Sequence, residues 1–328
     1  MTASPRVSVL LPARNAAQWL GAAVGSILAQ TLDDLELVVV DDGSTDATPE
    51  VLSAVADRRL RVVRRDGGEG VAAALDAGLE HVRAPLVARM DADDLALPGR
   101  LARQVPVLER DEGLVALGAQ YDEVDAAGTP TGVRSTLPCG SPLVHWRLLL
   151  ENPLAHPTVV VRRAALEAVG GYRLDRPGAE DHDLWLRLSP LGRLDNLPDS
   201  LLRYRRHPGS VTVGATEVGE RTTASLVADA LAERLHREPP AEAVAVLRGA
   251  LDPRAAAPGS VVEAVGLLDD LLAASGAADA AVRSDAARRQ VRLLRASARA
   301  GVLRPALAQL RELRRGELLR AGLGALAR

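Results

Sequence analysis

VARMDADD, residues 87–94, carries an apolar, strand-like run from Val87 to Met90 straight into Asp91, Asp93 and Asp94. Carboxylates that close repel one another, so the segment must end either in full solvation or against a cation. Upstream, RVSVLLP (6–12), LELVVV (35–40) and LRVVRR (60–65) read as three more strands, with PLVARM (85–90) as the fourth. LELVVV is apolar without alternation, as expected of a parallel strand covered on both faces. Between the strands, Leu20, Ala23, Val24, Ile27 and Leu28 follow helical spacing, with Asn15 placed to cap the start. Val71, Ala74, Leu75, Gly78, Leu79 and Val82 repeat that spacing, and Pro98 suits the first turn of a helix over about 98–110. Alternating strands and helices predict an α/β fold with a mostly parallel, Rossmann-like sheet and right-handed crossovers. Ligands then bind beyond the carboxyl ends of the strands. PARN (12–15), DDGSTD (41–46) and DADD (91–94) all stand at such ends and should gather along one edge.

Composition narrows the function. A chain of 328 residues holds one large domain or two smaller ones. The formal net charge of −3 offers no basic field for nucleic acid. A single cysteine, Cys139, excludes an intrachain disulfide and a cysteine-based zinc site. No apolar run approaches the roughly 20 residues of a membrane span, and no basic-then-apolar leader opens the chain, so the expected location is cytoplasmic. The absence of Phe and Lys reads as base-composition bias in the gene.

DADD by itself fits a solvated acidic turn, with Asp94 capping the next helix. It also fits a divalent-metal site, because hard oxygen ligands suit Mg²⁺ or Mn²⁺. Its place beside two other polar strand ends favours the second reading. The ordered series VSVLLPARN, VVVDDGSTDAT, GVAAALDAGL, VARMDADDLALPGRLARQ, NPLAHPTVVVRRAALEAVGGY, AEDHDLWLRL and LLRYRRHPGSVT covers about residues 6–212. In that order the motifs resemble the inverting family 2 glycosyltransferases of GT-A fold, of the bacterial cell-envelope and capsular polysaccharide type.

The resemblance implies roles. The donor would be a nucleotide-diphosphate sugar, most simply a UDP-sugar, and the acceptor a glycan or lipid-linked glycan. Pro12, Ala13 and Asn15 would frame the base, and Asp41 or Asp42 would accept a hydrogen bond from the uracil imide; both aspartates also fit an ordinary turn. Asp91 and Asp93 would serve the ribose and diphosphate, with Asp93 the direct ligand of Mn²⁺ or Mg²⁺ and His207 beside it. Arg89 and Arg100 would meet phosphate, unless Arg100 anchors its helix through an ion pair. Arg203, Arg205 and Arg206 are further diphosphate candidates. Glu180 and Asp181 open a helix whose buried stripe is Leu184, Trp185 and Leu188, where the dipole favours carboxylates. Asp181 would be the general base and Glu180 its partner. His156 and His182 would line the acceptor side, though His156 equally fits a core histidine. In one departure, Leu75 and Asp76 stand where many members carry Arg then Asn, which leaves the identity of the base less certain.

The expected domains are a GT-A domain over 1–218, with a donor half to about 120 and an acceptor half beyond it, and a helical region over 219–328. ASLVADALAERLHRE, AEAVAVLRGALD and GSVVEAVGLLDDLLAAS are apolar at helical spacing with polar opposite faces. This region fits a packing or homodimerisation module, or a peripheral membrane contact through Arg311, Arg314, Arg315 and Arg320. A nucleotide-sugar-binding or scaffold subunit without turnover is the alternative reading of the whole chain.

Overall fold

The computed structural model describes residues 4–209, 217–276 and 279–299. The chain forms two compact units, Met1–His145 with Asn152–Glu220, and Trp146–Glu151 with Arg221–Arg328.

The first unit begins with β1 (Val7–Ala13), α1 (Ala17–Leu28), β2 (Leu35–Asp42), α2 (Thr48–Ser53), β3 (Leu60–Arg65), α3 (Val71–Leu79) and β4 (Leu86–Arg89). It continues with β5 (Leu95–Ala96), α4 (Arg100–Arg110), β6 (Leu114–Val124), β7 (Pro130–Arg134) and α5 (Ser141–Leu148), whose last turn belongs to the second unit. A 3₁₀ turn at His156–Thr158 leads to β8 (Val160–Arg162), α6 (Arg163–Ala168), α7 (Glu180–Leu188) and β9 (Arg193–Arg205).

The sheet runs β3-β2-β1-β4-β8-β6-β9-β5, with β7 on β6. Its first four strands are parallel; β8 is antiparallel to both β4 and β6, and β6 is parallel to β9. Every residue of β1 and β2 is buried, the polar Ser8, Glu36, Asp41 and Asp42 along with their apolar neighbours. β3 is an edge strand with no fully buried residue, and Val62 is 45% exposed. Leu20, Ala23, Val24 and Ile27 of α1 join the strand residues in one core. Glu36, a buried carboxylate in β2, is satisfied by Ser8 Oγ and by the N–H and Nε of Arg83. α3 can lie on β1 and β2 because Gly78 has no side chain: a Cβ there would come within 2.3 Å of Leu10 Cδ1 and 2.8 Å of Val40 Cγ2.

The chain leaves β1 toward β2 and β3 on one side, then returns to β4 on the other. That reversal opens a crevice at the carboxyl ends of β1, β2 and β4, where the polar clusters stand.

The second unit is helical: α8 (Glu217–Leu235, its first turn in the first unit), α9 (Ala241–Arg248), α10 (Pro258–Ala274) and α11 (Ala280–Arg299). α10 buries Val261, Ala264, Val265, Leu268 and Leu271, and α11 buries Val282, Ala286, Val291 and Leu294. Asp285 is its polar hub, accepting from Trp146 Nε1 (3.0 Å), Arg147 (2.8 Å) and Arg289 Nε (2.9 Å). Arg311, Arg314, Arg315 and Arg320 lie outside the described residues. Among those described, no helix is long and apolar enough to cross a membrane.

Candidate active site

The turn after β1 and the loop after β2 are stitched together. Asn15 adopts a left-handed conformation (φ 50°) that turns the chain out of the strand. Its Oδ1 accepts from Thr45 N (2.9 Å), and its N–H donates to Ser44 Oγ (3.0 Å). Asn15 therefore does not cap α1. The N–H groups of Ala16 and Ala17 are taken by Thr48 Oγ1 (2.8 Å) and Asp46 Oδ2 (3.2 Å) of the neighbouring loop. Asp41 and Asp42 are nearly sealed and brace this edge. Asp41 Oδ1 accepts from Ser44 N (3.0 Å), while Asp42 pairs with Arg65 (2.8 Å) and accepts from Gly70 N (3.3 Å). Pro12 and Ala13 are buried as the last two residues of β1.

The DADD turn divides its carboxylates by depth. Oxygens of Asp91, Asp93 and Asp94 all lie within 4.8 Å of one another. Asp91 and Asp93 each keep 28% side-chain exposure, whereas Asp94 is 1% exposed. Burial and the two neighbouring carboxylates hold the Asp94 carboxyl well above the usual range. Asp94 does not cap a helix, because β5 follows it; its Oδ1 accepts from Arg205 N (2.8 Å), and its Oδ2 has no hydrogen-bond partner. Two half-open carboxylates over a sealed third, all hard oxygen donors, make a ligand set that could hold a small divalent cation.

His207 Nε2 lies 2.9 Å from Asp93 Oδ2, and its ring stacks on Trp19 with centroids 4.1 Å apart. Arg205 turns inward beneath them at 5% exposure. Its Nε donates to Asp93 O (2.7 Å), one terminal nitrogen reaches Ala126 O (3.0 Å), and its guanidinium stands 5.9 Å from the Trp19 ring centroid.

Opposite the DADD turn, α7 begins with Glu180 and Asp181. Asp181 is held at both oxygens, by Asn152 Nδ2 (2.7 Å) and by His182 N (2.7 Å). It stands near enough to Asp91 that its charge helps raise the Asp91 carboxyl, behind the larger effect of burial and against the pull of Arg89. Burial, then the charge of Asp181, pushes Glu180 up to about 7.

Residues 8–170 match the family model described as Glycosyl transferase family 2. The amylovoran biosynthesis glycosyltransferase AmsE of Erwinia amylovora is 37% identical over 186 residues, spanning 55% of this chain and 68% of that protein. The chain belongs to glycosyl transferase family 2. Across three curated bacterial relatives the match covers 66–74% of the relative's own length. Among solved structures, S. aureus TarS 1-349 in complex with UDP-GlcNAc superposes with a TM-score of 0.59 at 18% identity, covering 94% of this chain and 92% of that one. The mannosyltransferase PcManGT from Pyrobaculum calidifontis, in complex with GDP-Man and Mn²⁺, gives 0.54 at 22% identity, covering 99% and 88%. At these identities the two likenesses speak for the fold, a GT-A sheet with a helical C-terminal region.

Several residues of this family 2 chain stand elsewhere than the motifs suggest. Arg100 is wholly buried and donates to Arg89 O (2.7 Å), so it props the end of β4 and does not reach a phosphate. Burial, with Arg89 nearby, pulls its guanidinium down to about 9, still cationic at neutral pH. Arg89 is also buried and pairs with Asp91, fixing that carboxylate in place of an outward contact. His156 (6% exposed) bonds Tyr172 Oη at 2.8 Å, and burial holds its imidazole well below its usual value. His182 is 1% exposed. Both histidines are buried, so neither offers an open side chain to an acceptor. Arg205 is structural, and Arg206 pairs with Glu123 (2.9 Å). Asp76, at the departure from the family pattern, accepts from Tyr172 N (3.2 Å) and so holds the GGY segment. Asn152, Tyr172 and Trp19 escape the motif reading. Asn152 and Tyr172 lie inside quoted motifs, yet only the fold shows that one grips Asp181 and the other bonds His156 through its hydroxyl and Asp76 through its N–H.

Proposed function

We propose that this family 2 chain transfers a sugar from a nucleoside-diphosphate sugar, foremost a UDP-sugar, to an acceptor hydroxyl with inversion, in building a bacterial polysaccharide or glycoconjugate. One set of observations carries the reading: Asp91, Asp93 and Asp94 bring carboxylate oxygens within 4.8 Å of one another at the end of β4, and Asp181, held by Asn152 Nδ2 and His182 N, opens α7. The names of relatives support the same class, from amylovoran biosynthesis in AmsE to UDP-GlcNAc in TarS.

Pro12, Ala13, Asn15 and the loop from Asp41 to Asp46 would receive the nucleoside. Asp93 and Asp91, with His207 alongside, would hold Mn²⁺ or Mg²⁺, which when bound supplies positive charge against the leaving diphosphate. Arg205 keeps the backbone of that turn in place, and Trp19 limits the rotation of His207. Asp181 would take the acceptor's proton as its oxygen attacks the anomeric carbon. One base and one displacement give inversion. Glu180, pushed up to about 7 by burial and then by the charge of Asp181, would orient Asp181 or hold the acceptor. Asn152 orients Asp181 without neutralising it.

A panel of UDP-, GDP- and dTDP-sugars, each tested for thermal stabilisation and donor turnover with Mn²⁺ and with chelator, tests the reading. Metal-dependent stabilisation by one nucleotide class, with turnover, is expected. No response to any of them would overturn it.

A further inference from the structure

The second unit contains a cleft of about 870 Å³ between the loop after α9 and the exposed side of α11. Six arginines line it, namely Arg248, Arg254, Arg288, Arg289, Arg292 and Arg295, against the carboxylates of Glu151 and Asp252. That is an excess of four positive charges in one concavity of a chain whose formal net charge is −3. Part of the charge is internally compensated: Arg254 pairs with Asp252 (3.0 Å), Arg288 with Asp285 (3.6 Å), and Arg289 with Glu151 (2.8 Å) and Asp285 (2.9 Å). Arg292 and Arg295 are exposed and meet no carboxylate among the described residues. With Arg288 they fall at i, i+4 and i+7, so all three stand on one stripe of α11. A row of like charges held together repels itself unless something anionic meets it.

The chemistry of the walls selects the kind of anion. Compact free phosphates are usually cradled by backbone N–H groups at a nest or a helix N-terminus. Here the N–H groups of Gly249, Ala250 and Leu251 are bonded to carbonyls of α9, and those of Arg254, Ala255 and Ala256 to Asp252. Recognition falls to guanidinium side chains alone, which suit several phosphate oxygens spread over a surface. Residues 300–328, which directly follow α11, carry six arginines and two glutamates in sequence, so that stretch adds to the positive charge and does not complement it.

We propose that this cleft binds phosphodiester headgroups of an anionic bilayer and seats the helical unit on a membrane surface. The proposal stands apart from the transferase reading, because lipid binding and donor turnover are read separately.

The test is co-sedimentation of the full chain with phosphatidylcholine vesicles, with and without phosphatidylglycerol. Wild type is expected to bind only the anionic vesicles, and less well as salt rises. The double variant R292A/R295A should bind about 30-fold more weakly, the equivalent of about 1 kcal/mol per arginine near an anionic surface. The control R58A/R61A, on the first unit, should bind like wild type. Alanine suits exposed helical positions, and R292Q/R295Q repeats the test should the alanine variant melt early. Unchanged binding by the α11 variants, an equal loss in the control, or binding to neutral vesicles would each overturn the proposal. Stabilisation by inorganic pyrophosphate that depends on Arg292 and Arg295, without vesicle binding, would reassign the cleft to free phosphate and overturn it as well.

Discussion

Replacing Arg205 with Met should both destabilise the first unit and loosen its acidic turn. Met keeps most of the apolar stem but removes every donor. The lost contacts are those to Asp93 O (2.7 Å) and Ala126 O (3.0 Å), a longer one to Asp125 O (3.3 Å), and the stacking above Trp19. Hydrogen bonds from a charged group contribute about 1.5–3 kcal/mol each, and the carbonyls left behind lie in a region where Arg205 itself is 5% exposed. Relief from burying the guanidinium offsets part of the loss, leaving about 3 kcal/mol. For a domain of this size that corresponds to a fall in Tm of about 6–12 °C. The backbone bond from Arg205 N to Asp94 survives, so the strand pairing should persist while the carbonyl of Asp93 is released. Mn²⁺-dependent UDP binding should therefore weaken by about tenfold, the scale on which an outer support of a metal ligand acts. Melting in chelator measures the first effect and calorimetric UDP titration in Mn²⁺ the second. Arg205→Lys should fall between, since an ammonium reaches one carbonyl but cannot span two. A Met variant melting within about 2 °C of wild type, with undiminished UDP binding, would refute the assignment of Arg205 as the brace of the turn.

Asp93→Ala should abolish Mn²⁺-dependent UDP binding while raising or leaving Tm in chelator, because one member of a repelling carboxylate cluster is gone; equal UDP affinity in Mn²⁺ would exclude Asp93 as a ligand. Asp181→Asn should keep donor and metal binding but lower transfer by about 10²–10⁴-fold, and a loss confined to the donor KM would place Asp181 in donor binding instead. Glu180→Gln should stabilise the protein more at pH 8 than at pH 5. The folded state holds the Glu180 proton up to about 7, above the ordinary 4.5, so stability is lost as pH rises between those values, and Gln removes that slope. The shift sets an upper limit of about 3 kcal/mol on the difference, read as the change in melting between variant and wild type across pH. A pH-independent difference would show that Glu180 does not carry the proton.

The donor half was legible because its signals are local. The mainly apolar runs of β1 and β2, interrupted only by Ser8 and Glu36 before the acidic end of β2, read as doubly covered strands, and the helical spacing of α1 points at the same core. β9 was not legible. Pro198 lies within it, and the register against β6 jumps from Ala119↔Leu197 to Gln120↔Ser200, so the chain bulges at Pro198 and Asp199 and its alternation is broken. Asn15 looked like a helix cap because Asn is a good one, but a neighbouring loop outcompetes it with Thr48 and Asp46.

By itself the amino-acid sequence determined the α/β class, the edge of the sheet where the polar strand ends meet, and which acidic residues stand there, because strand periodicity and motif order are properties of short stretches. The tertiary structure decided what each polar side chain is free to do. Arg100, His156 and Arg205 have the chemistry of ligand contacts, yet burial and nearby carbonyls or hydroxyls claim them, and His182 is sealed at 1% exposure. Asn152 acquires its place only when a loop and α7, 29 residues apart in sequence, meet at Asp181. A side chain's type sets which bonds it can make; only the packed fold settles which of them solvent or a substrate can still reach.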